Sequence, residues 1–134
     1  MAVLNIAIDL PPKCASPNGR FHWAVKARHR KIYREHAFLM AKVAMQEYLS
    51  FNQGEFPWQS ATLQICYQYD DKSCRKRDDD NLNAALKWAR DGFADAGIVR
   101  DDSDFSQLTP LQRKGDAPLF IVRIEERMTH GNEI

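Results

Sequence analysis

The chain has 134 residues, 44% of them hydrophobic and 28% charged, with 19 Lys and Arg against 18 Asp and Glu. That size leaves room for one domain with a real core (1–127, followed by a short tail) and none for a second, and the near-neutral balance excludes a uniformly basic nucleic-acid binder. No apolar run approaches the ~20 residues of a membrane span, and the alternating first ten residues with Asp9 are unlike a signal peptide, so a cytoplasmic protein without membrane contact is expected.

Leu4, Ile6, Ile8 and Leu10 alternate with Val3, Asn5, Ala7 and Asp9, a period of two that predicts a strand with one apolar face. Pro11 and Pro12 end it, and Ser16-Pro17-Asn18-Gly19 is a turn. From Val25 to Phe51 the period becomes helical, with Ile32, Phe38, Leu39, Val43 and Met45 as the apolar side. Gly54 and Pro57 close this helix, and no glycine-bearing turn divides it, which argues against a helix-turn-helix. Ala61 to Tyr69 is the second strand, with Leu63, Ile65, Tyr67 and Tyr69 on one face. Asp70 to Lys76 is a polar connection. A second helix is predicted from Asp79 to Ala96, its core side formed by Leu82, Ala85, Leu86, Ala89 and Phe93, and Gly97 stops it. Residues 103–113 add a short strand, 118–125 form the last one, and the tail 128–134 frays. The order predicts an α+β domain: a small mixed β-sheet packed on one face by two main helices. Cys14, Cys66 and Cys74 are too few and too widely spaced for a zinc pattern with the four histidines, and read as reduced thiols, Cys66 buried in its strand.

Charge is strongly segregated along the chain. Residues 20–34 carry Arg20, Lys26, Arg28, Arg30, Lys31 and Arg34 and no acid. Residues 78–104 carry eight aspartates against Lys87, Arg90 and Arg100. A basic landing surface beside an acidic metal pocket produces this pattern. Phe21, His22 and Trp23 next to Arg20 either stack on exposed bases or pack on the core. Trp58 and Trp88 read as packing residues, at a core or a dimer surface.

Arg75-Lys76-Arg77-Asp78-Asp79-Asp80-Asn81 is the most unusual stretch. Three consecutive aspartates repel one another unless a cation sits among them, and the basic triplet before them suits phosphate. An extended backbone would send Asp78 and Asp80 out on one side, able to share an ion, and leave Asp79 to cap the helix. Asp80, Ala84, Lys87 and Asp91 then form one helical stripe, with Lys87 ~10 Å along the axis from Asp80. Asp91 reads as the i,i+4 partner of Lys87, and Asp70, Asp71 and Asp104 as solvated loop residues. Asp101-Asp102 follows Gly97 closely enough to turn back toward the first acids. Two or three carboxylates leave Mg²⁺ open positions for water and phosphate oxygens, the chemistry of phosphodiester hydrolysis.

Arg77-Asp78-x-Asp80-Asn81-Leu82, followed by a lysine-bearing helix and Asp95-Ala96-Gly97-Ile98-Val99-x-Asp101-Asp102, resembles the RusA family of Holliday junction resolvases. Pro11-Pro12, Ser16-Pro17-Asn18 and Arg20-x-His22 are similar to that family's loop after its first strand, so the likeness spans nearly the whole chain. The resemblance implies a phage- or prophage-borne homodimer that binds four-way DNA junctions and makes paired nicks with Mg²⁺, for which Mn²⁺ substitutes, and without a small-molecule cofactor. It also implies that Asp78, Asp80 and Asp102 are the essential acids and metal ligands, with Asn81 and Asp101 supporting them. The family's catalytic lysine matches Lys87 when the chains are aligned at Gly97 and Ala84 when aligned at Asn81. By the resemblance Lys76 and Arg77 fall at DNA-contacting positions; from the charge pattern, Arg75, Arg20, Lys26, Arg28 and Arg30 are expected to extend that surface.

Overall fold

Alternation at the N-terminus builds strand β1, Val3–Ala7, with Leu4 and Ile6 facing inward. The elements that follow are helix α1, Trp23–Phe51, strand β2, Ala61–Tyr69, helix α2, Asp79–Ala96, a 3₁₀ turn, Asp102–Asp104, and strands β3, Phe105–Gln107, β4, Leu111–Lys114, and β5, Leu119–Glu126. The computed structural model describes residues 2–12, 15 and 21–127. The turn read at Ser16–Gly19, the DNA contact assigned to Arg20, Cys14 and the tail 128–134 lie outside the described residues.

The sheet is mixed and five-stranded. β5 runs antiparallel to both β1 and β2, from Ala7↔Ile121 on one side to Ile65↔Val122 on the other. The free edge of β2 is shared: β3 pairs in parallel with its start, Ala61↔Phe105, and β4 in parallel with its end, Cys66↔Leu111. The short strand expected within 103–113 is thus two, separated where Gln64 Nε2 donates to the carbonyl of Thr109 at 2.9 Å. Leu63, Ile65, Tyr67, Phe120, Val122 and Ile124 form the buried face and join the helices in one core. Cys66 lies on the other face and is half-buried rather than buried, because alternation sends it away from the helices.

Helix α1 starts at Trp23, two residues before the predicted start, because His22 serves as N-cap and its Nδ1 accepts from the Ala24 N–H at 3.2 Å. The face it buries agrees with the expected one at Met45, with Phe38 partly buried against the core, and differs elsewhere. Tyr33, Ala37, Ala41 and Met45 are buried at four-residue spacing, while Ile32, Leu39 and Val43 remain 57%, 60% and 56% exposed. Size decides this. Ala37 and Ala41 let α2 approach closely, which the bulkier stripe would prevent. Tyr33 then reaches the segment that follows β1, donating to the Asp9 carbonyl at 2.6 Å, and the Asp9 N–H donates to His36 Nε2 at 3.0 Å. Burial, helped by the Asp9 charge, drives the Tyr33 hydroxyl well above its ordinary pKa, so it stays a donor.

Gly92 is the point of closest approach on α2. A Cβ built there would overlap the Arg34 carbonyl oxygen and lie 2.9 Å from both Ala37 Cβ and Phe38 N. Gly92→Ala should therefore lower the melting temperature: overpacking costs about 1–3 kcal/mol, more than the ~1 kcal/mol that alanine gains in helix propensity. A thermal melt that rose instead would show that the helices can separate freely.

Candidate functional site

The acids of 78–80 sit where α2 begins, and the surrounding loop holds them firmly. Asp70 accepts from the N–H groups of Lys72, Ser73 and Cys74 at 3.0, 2.8 and 3.1 Å and from the Ser73 hydroxyl at 2.7 Å. Tyr67 donates to the Arg75 carbonyl at 2.7 Å, and the Arg77 guanidinium stands 5.9 Å over the Tyr67 ring. Burial and the neighbouring Cys74 push the Tyr67 hydroxyl up to about 12, so it too keeps its proton. Gln112 of β4 then grips the loop from the other side. Its Oε1 accepts from the Arg77 N–H at 3.0 Å, and its Nε2 donates to the Arg77 carbonyl and to Asp79 Oδ1, the latter at 3.2 Å.

This grip reverses two expected roles. Asp78, not Asp79, occupies the N-cap position, and its side chain accepts no capping hydrogen bond. Asp79 is already helical and is engaged by Gln112. Asp78 is extended but Asp80 is helical, so strict alternation does not carry across the pair. All three carboxylates are exposed, and neither Asp78 nor Asp80 is ion-paired among the described residues. Lys87 is exposed further along α2.

Asp102 does not turn back to them within one chain. Its Oδ2 lies 3.7 Å from Arg90 Nη2, and Arg90 also donates to Gln107 Oε1. Ten residues of helix separate Asp80 from Arg90, about 15 Å at the usual rise. The sheet explains the distance: β3 pairs with the start of β2, whereas Gln112 meets Arg77 and Asp79 from the strand that pairs with its end. Among the described residues, no three His, Cys, Asp or Glu side chains form a group able to hold a metal ion.

The carboxylates that act on Asp102 are those of Asp101 and Asp91, not those of 78–80. The adjoining Asp101 carboxyl holds Asp102 above the usual carboxylate range, with partial burial and the Asp91 charge adding and Arg90 opposing. Asp101 itself is lowered, first by the Ser103 N–H it accepts at 3.0 Å, and Asp104 accepts from the Asp101 N–H at 3.2 Å. Asp101 and Asp104 thus form a capping box for the 3₁₀ turn, so Asp104 has a structural task and is not a bare loop residue. Asp91 pairs with Arg30 at 3.6 Å, not with Lys87. Arg34 clasps Asp95 with two contacts, 2.6 and 2.8 Å, which hold that carboxyl below the usual range.

The cations named from sequence occupy two regions. Arg75 and Lys76 are exposed beside the first acids and Arg77 is half-buried on Tyr67. Lys26, Arg28 and Arg30 lie on the first turns of α1, Arg30 being tied to Asp91. Gln112 escaped sequence reasoning because a single glutamine in a short strand carries no signal. Asp91 was visible on the helical stripe but received the wrong partner. No protein-family model matches the chain, and no curated protein matches it in sequence.

The Asp70 contacts give a pH-dependent stability. Hydrogen bonds from the Ser73 hydroxyl, then from Cys74 and its neighbours, hold the Asp70 carboxyl far below the usual range. A depressed carboxylate contributes stability above its unfolded pKa of about 4 and loses it as pH falls through the folded value. Asp70→Ala should therefore melt below the unaltered chain at pH 7, and the gap should narrow steadily below about pH 4. A gap independent of pH would show that the carboxylate charge plays no part.

Proposed function

We propose that the chain is a RusA-type nuclease that cuts branched DNA, four-way junctions above all, as a homodimer with Mg²⁺. The observation that carries this is the state of Asp78 and Asp80: exposed, without ion-pair partners among the described residues, and next to Arg77 and Asp79, which Gln112 holds in place beside Arg75 and Lys76. Like charges so close raise one another's energy, and a divalent cation offsets that. Mg²⁺ commonly takes one or two carboxylates and completes its shell with water and phosphate oxygens, so the donor set at Asp78 and Asp80 fits it. When bound, such an ion polarises the scissile phosphate and acidifies water.

The protein groups supply the rest. Arg75, Lys76 and Arg77 hold the phosphates that flank the cut. Asn81 supports the acids by hydrogen bonding. Lys87 meets negative charge on the phosphate or protonates the leaving oxygen. A two-fold assembly presents two such sites for paired cuts, and the exposed Ile32, Leu39 and Val43 of α1 offer a partner an apolar surface. Asp102 takes part where a partner protomer or the DNA brings it to the other acids.

The separation of Asp102 from Asp78 and Asp80 favours a second reading, a DNA-binding accessory protein that does not cut. Nicking of a synthetic four-way junction separates the two. On the first reading Mg²⁺ or Mn²⁺ supports paired nicks and EDTA abolishes them. Asp80→Asn should then lower the rate at least ~100-fold while junction binding holds or tightens, since a charge that repels phosphate is gone. Lys87→Ala should slow turnover with little change in the Mg²⁺ concentration required. Asp102→Asn tests convergence: a loss matching that of Asp80→Asn unites the acids, and full activity confines the centre to the start of α2. Binding in EDTA without cleavage in Mg²⁺ would leave the second reading standing, and preferential cutting of flaps or RNA would move the substrate class.

A further inference from the structure

Trp23 is the first residue of α1 and keeps 76% of its surface exposed, an unusual state for the largest apolar side chain. It is not an isolated ring. His22 stacks on it with centroids 5.6 Å apart and planes 30° from parallel, and Phe21 beside them is 47% exposed. Along the same helical face stand Lys26, Arg30, Lys31 and Arg34, and across from them is Trp88 of α2. These side chains line a groove of about 370 Å³, with Ala27 leaving its floor open. The volume falls within the ~300–1,000 Å³ of ligand sites.

We propose that this groove holds an unstacked nucleotide of a DNA strand, its base on the Trp23 ring and its flanking phosphates on Lys26, Arg30 and Lys31. It rests on the reading of the chain as a DNA-binding protein but requires no cleavage. Charge argues for an anionic occupant. Four cations line the groove, and the two carboxylates opposite, Asp91 and Asp95, are already taken by Arg30 and Arg34. Lys26 and Lys31 have no acid partner among the described residues, so a phosphate displaces nothing to reach them. Shape argues for a base. A ring pair with one open face suits a flat heteroaromatic partner, and stacking on tryptophan is sequence-tolerant. Lys26 and Arg30 are one turn apart, ~6 Å along the axis, comparable to successive phosphates on an extended strand. A regular duplex cannot use the groove, because its bases are stacked inside, whereas a branch point offers free ones. The groove also lies away from the acids at the start of α2, beside Asp91 and the Arg34–Asp95 pair.

The test uses the full chain in EDTA, where nothing is cut, titrated with a dT12 strand, a duplex of equal length and inorganic tripolyphosphate, read by tryptophan fluorescence and by anisotropy of labelled DNA. The strand should quench fluorescence and bind more tightly than the duplex. Trp23→Ala should weaken strand binding about ten-fold, and Trp23→Phe should restore most of the affinity but not the quench. Lys26→Ala and Lys31→Ala should each reduce the salt dependence by about 0.7 in log–log slope. Circular dichroism melts confirm folding, which an exposed residue such as Trp23 should barely affect. Unchanged affinity in Trp23→Ala, or tripolyphosphate binding as tightly as the strand, would overturn the groove. If the groove fails while junction nicking persists, the nuclease reading survives alone. If Trp23→Ala weakens binding but no variant or metal gives nicks, the groove survives without the nuclease.

Discussion

The close crossing of the two helices organises everything around it. Position 92 has no side chain, so the backbone of α2 comes against Arg34 and Ala37 of α1. Packing at that distance leaves no room for large side chains on the line of contact, and those beside it splay outward. On one side they become the ion pairs Arg30–Asp91 and Arg34–Asp95. Further toward the start of α1, where the small residue is Ala27, the same divergence opens the groove between Trp23 and Trp88. On the sheet side Leu82, Leu86 and Phe93 are fully buried. A glycine in mid-helix lowers helix propensity, and burial along both helices outweighs that cost.

The aspartates of α2 divide into two populations with different electrostatics. Those at its start lie at the positive end of the macrodipole, which favours each by about 0.3–1 kcal/mol; all stay exposed, and among the described residues Asp78 and Asp80 have no ion-pair partner. Asp95 lies in the last turn, at the end that disfavours a carboxylate, and the two-pronged contact of Arg34 offsets the penalty. Asp91 and Asp102 are likewise balanced by Arg30 and Arg90. Charges neutralised within the fold have a structural account already. Charges left open at Asp78 and Asp80, beside a basic triplet held in place by Tyr67 and Gln112, do not, and that asymmetry is why the proposed metal site is put at the start of the helix.

Sequence pattern revealed the elements better than their contacts. The alternation of β1, β2 and β5 fixed which residues face the core, because period two allows only one choice once a face is apolar. The extent of α2 and its stop at Gly97, at φ 94°, followed from periodicity and the αL preference of glycine. On the buried face of α1 only Met45 and, in part, Phe38 follow from hydrophobicity, which also favours the exposed Ile32, Leu39 and Val43, whereas the close crossing selects Ala37 and Ala41. Nothing in the sequence marks Gly92 as the crossing point rather than a weak spot in the helix. The acids show the same limit. Their existence and charge were plain, but whether Asp102 reaches Asp80 depends on where β3 joins β2, a long-range register that local pattern does not encode.

That register has a consequence for any substrate. The open carboxylates and Arg75–Arg77 lie at the start of α2, while the aromatic groove borders its second half, and the rise of the helix sets the two apart by about 15 Å. A small molecule would touch one region and never feel the other. A polymer with repeating anionic groups can engage both at once, and the gain from linking two weak contacts is largest when the spacing is rigid, as a helix makes it. The net charge of +1 then gives little guidance to affinity, because salt screening limits each phosphate to the field within about 10 Å. Within that range the first half of α1 and the triplet 75–77 are locally cationic. On the proposed reading, DNA is held by these two basic regions and repelled by the carboxylates between its phosphates until a divalent cation reverses the sign there. Binding and cutting would then depend on different residues, which is why charge removal at Asp80 is expected to act on them in opposite directions.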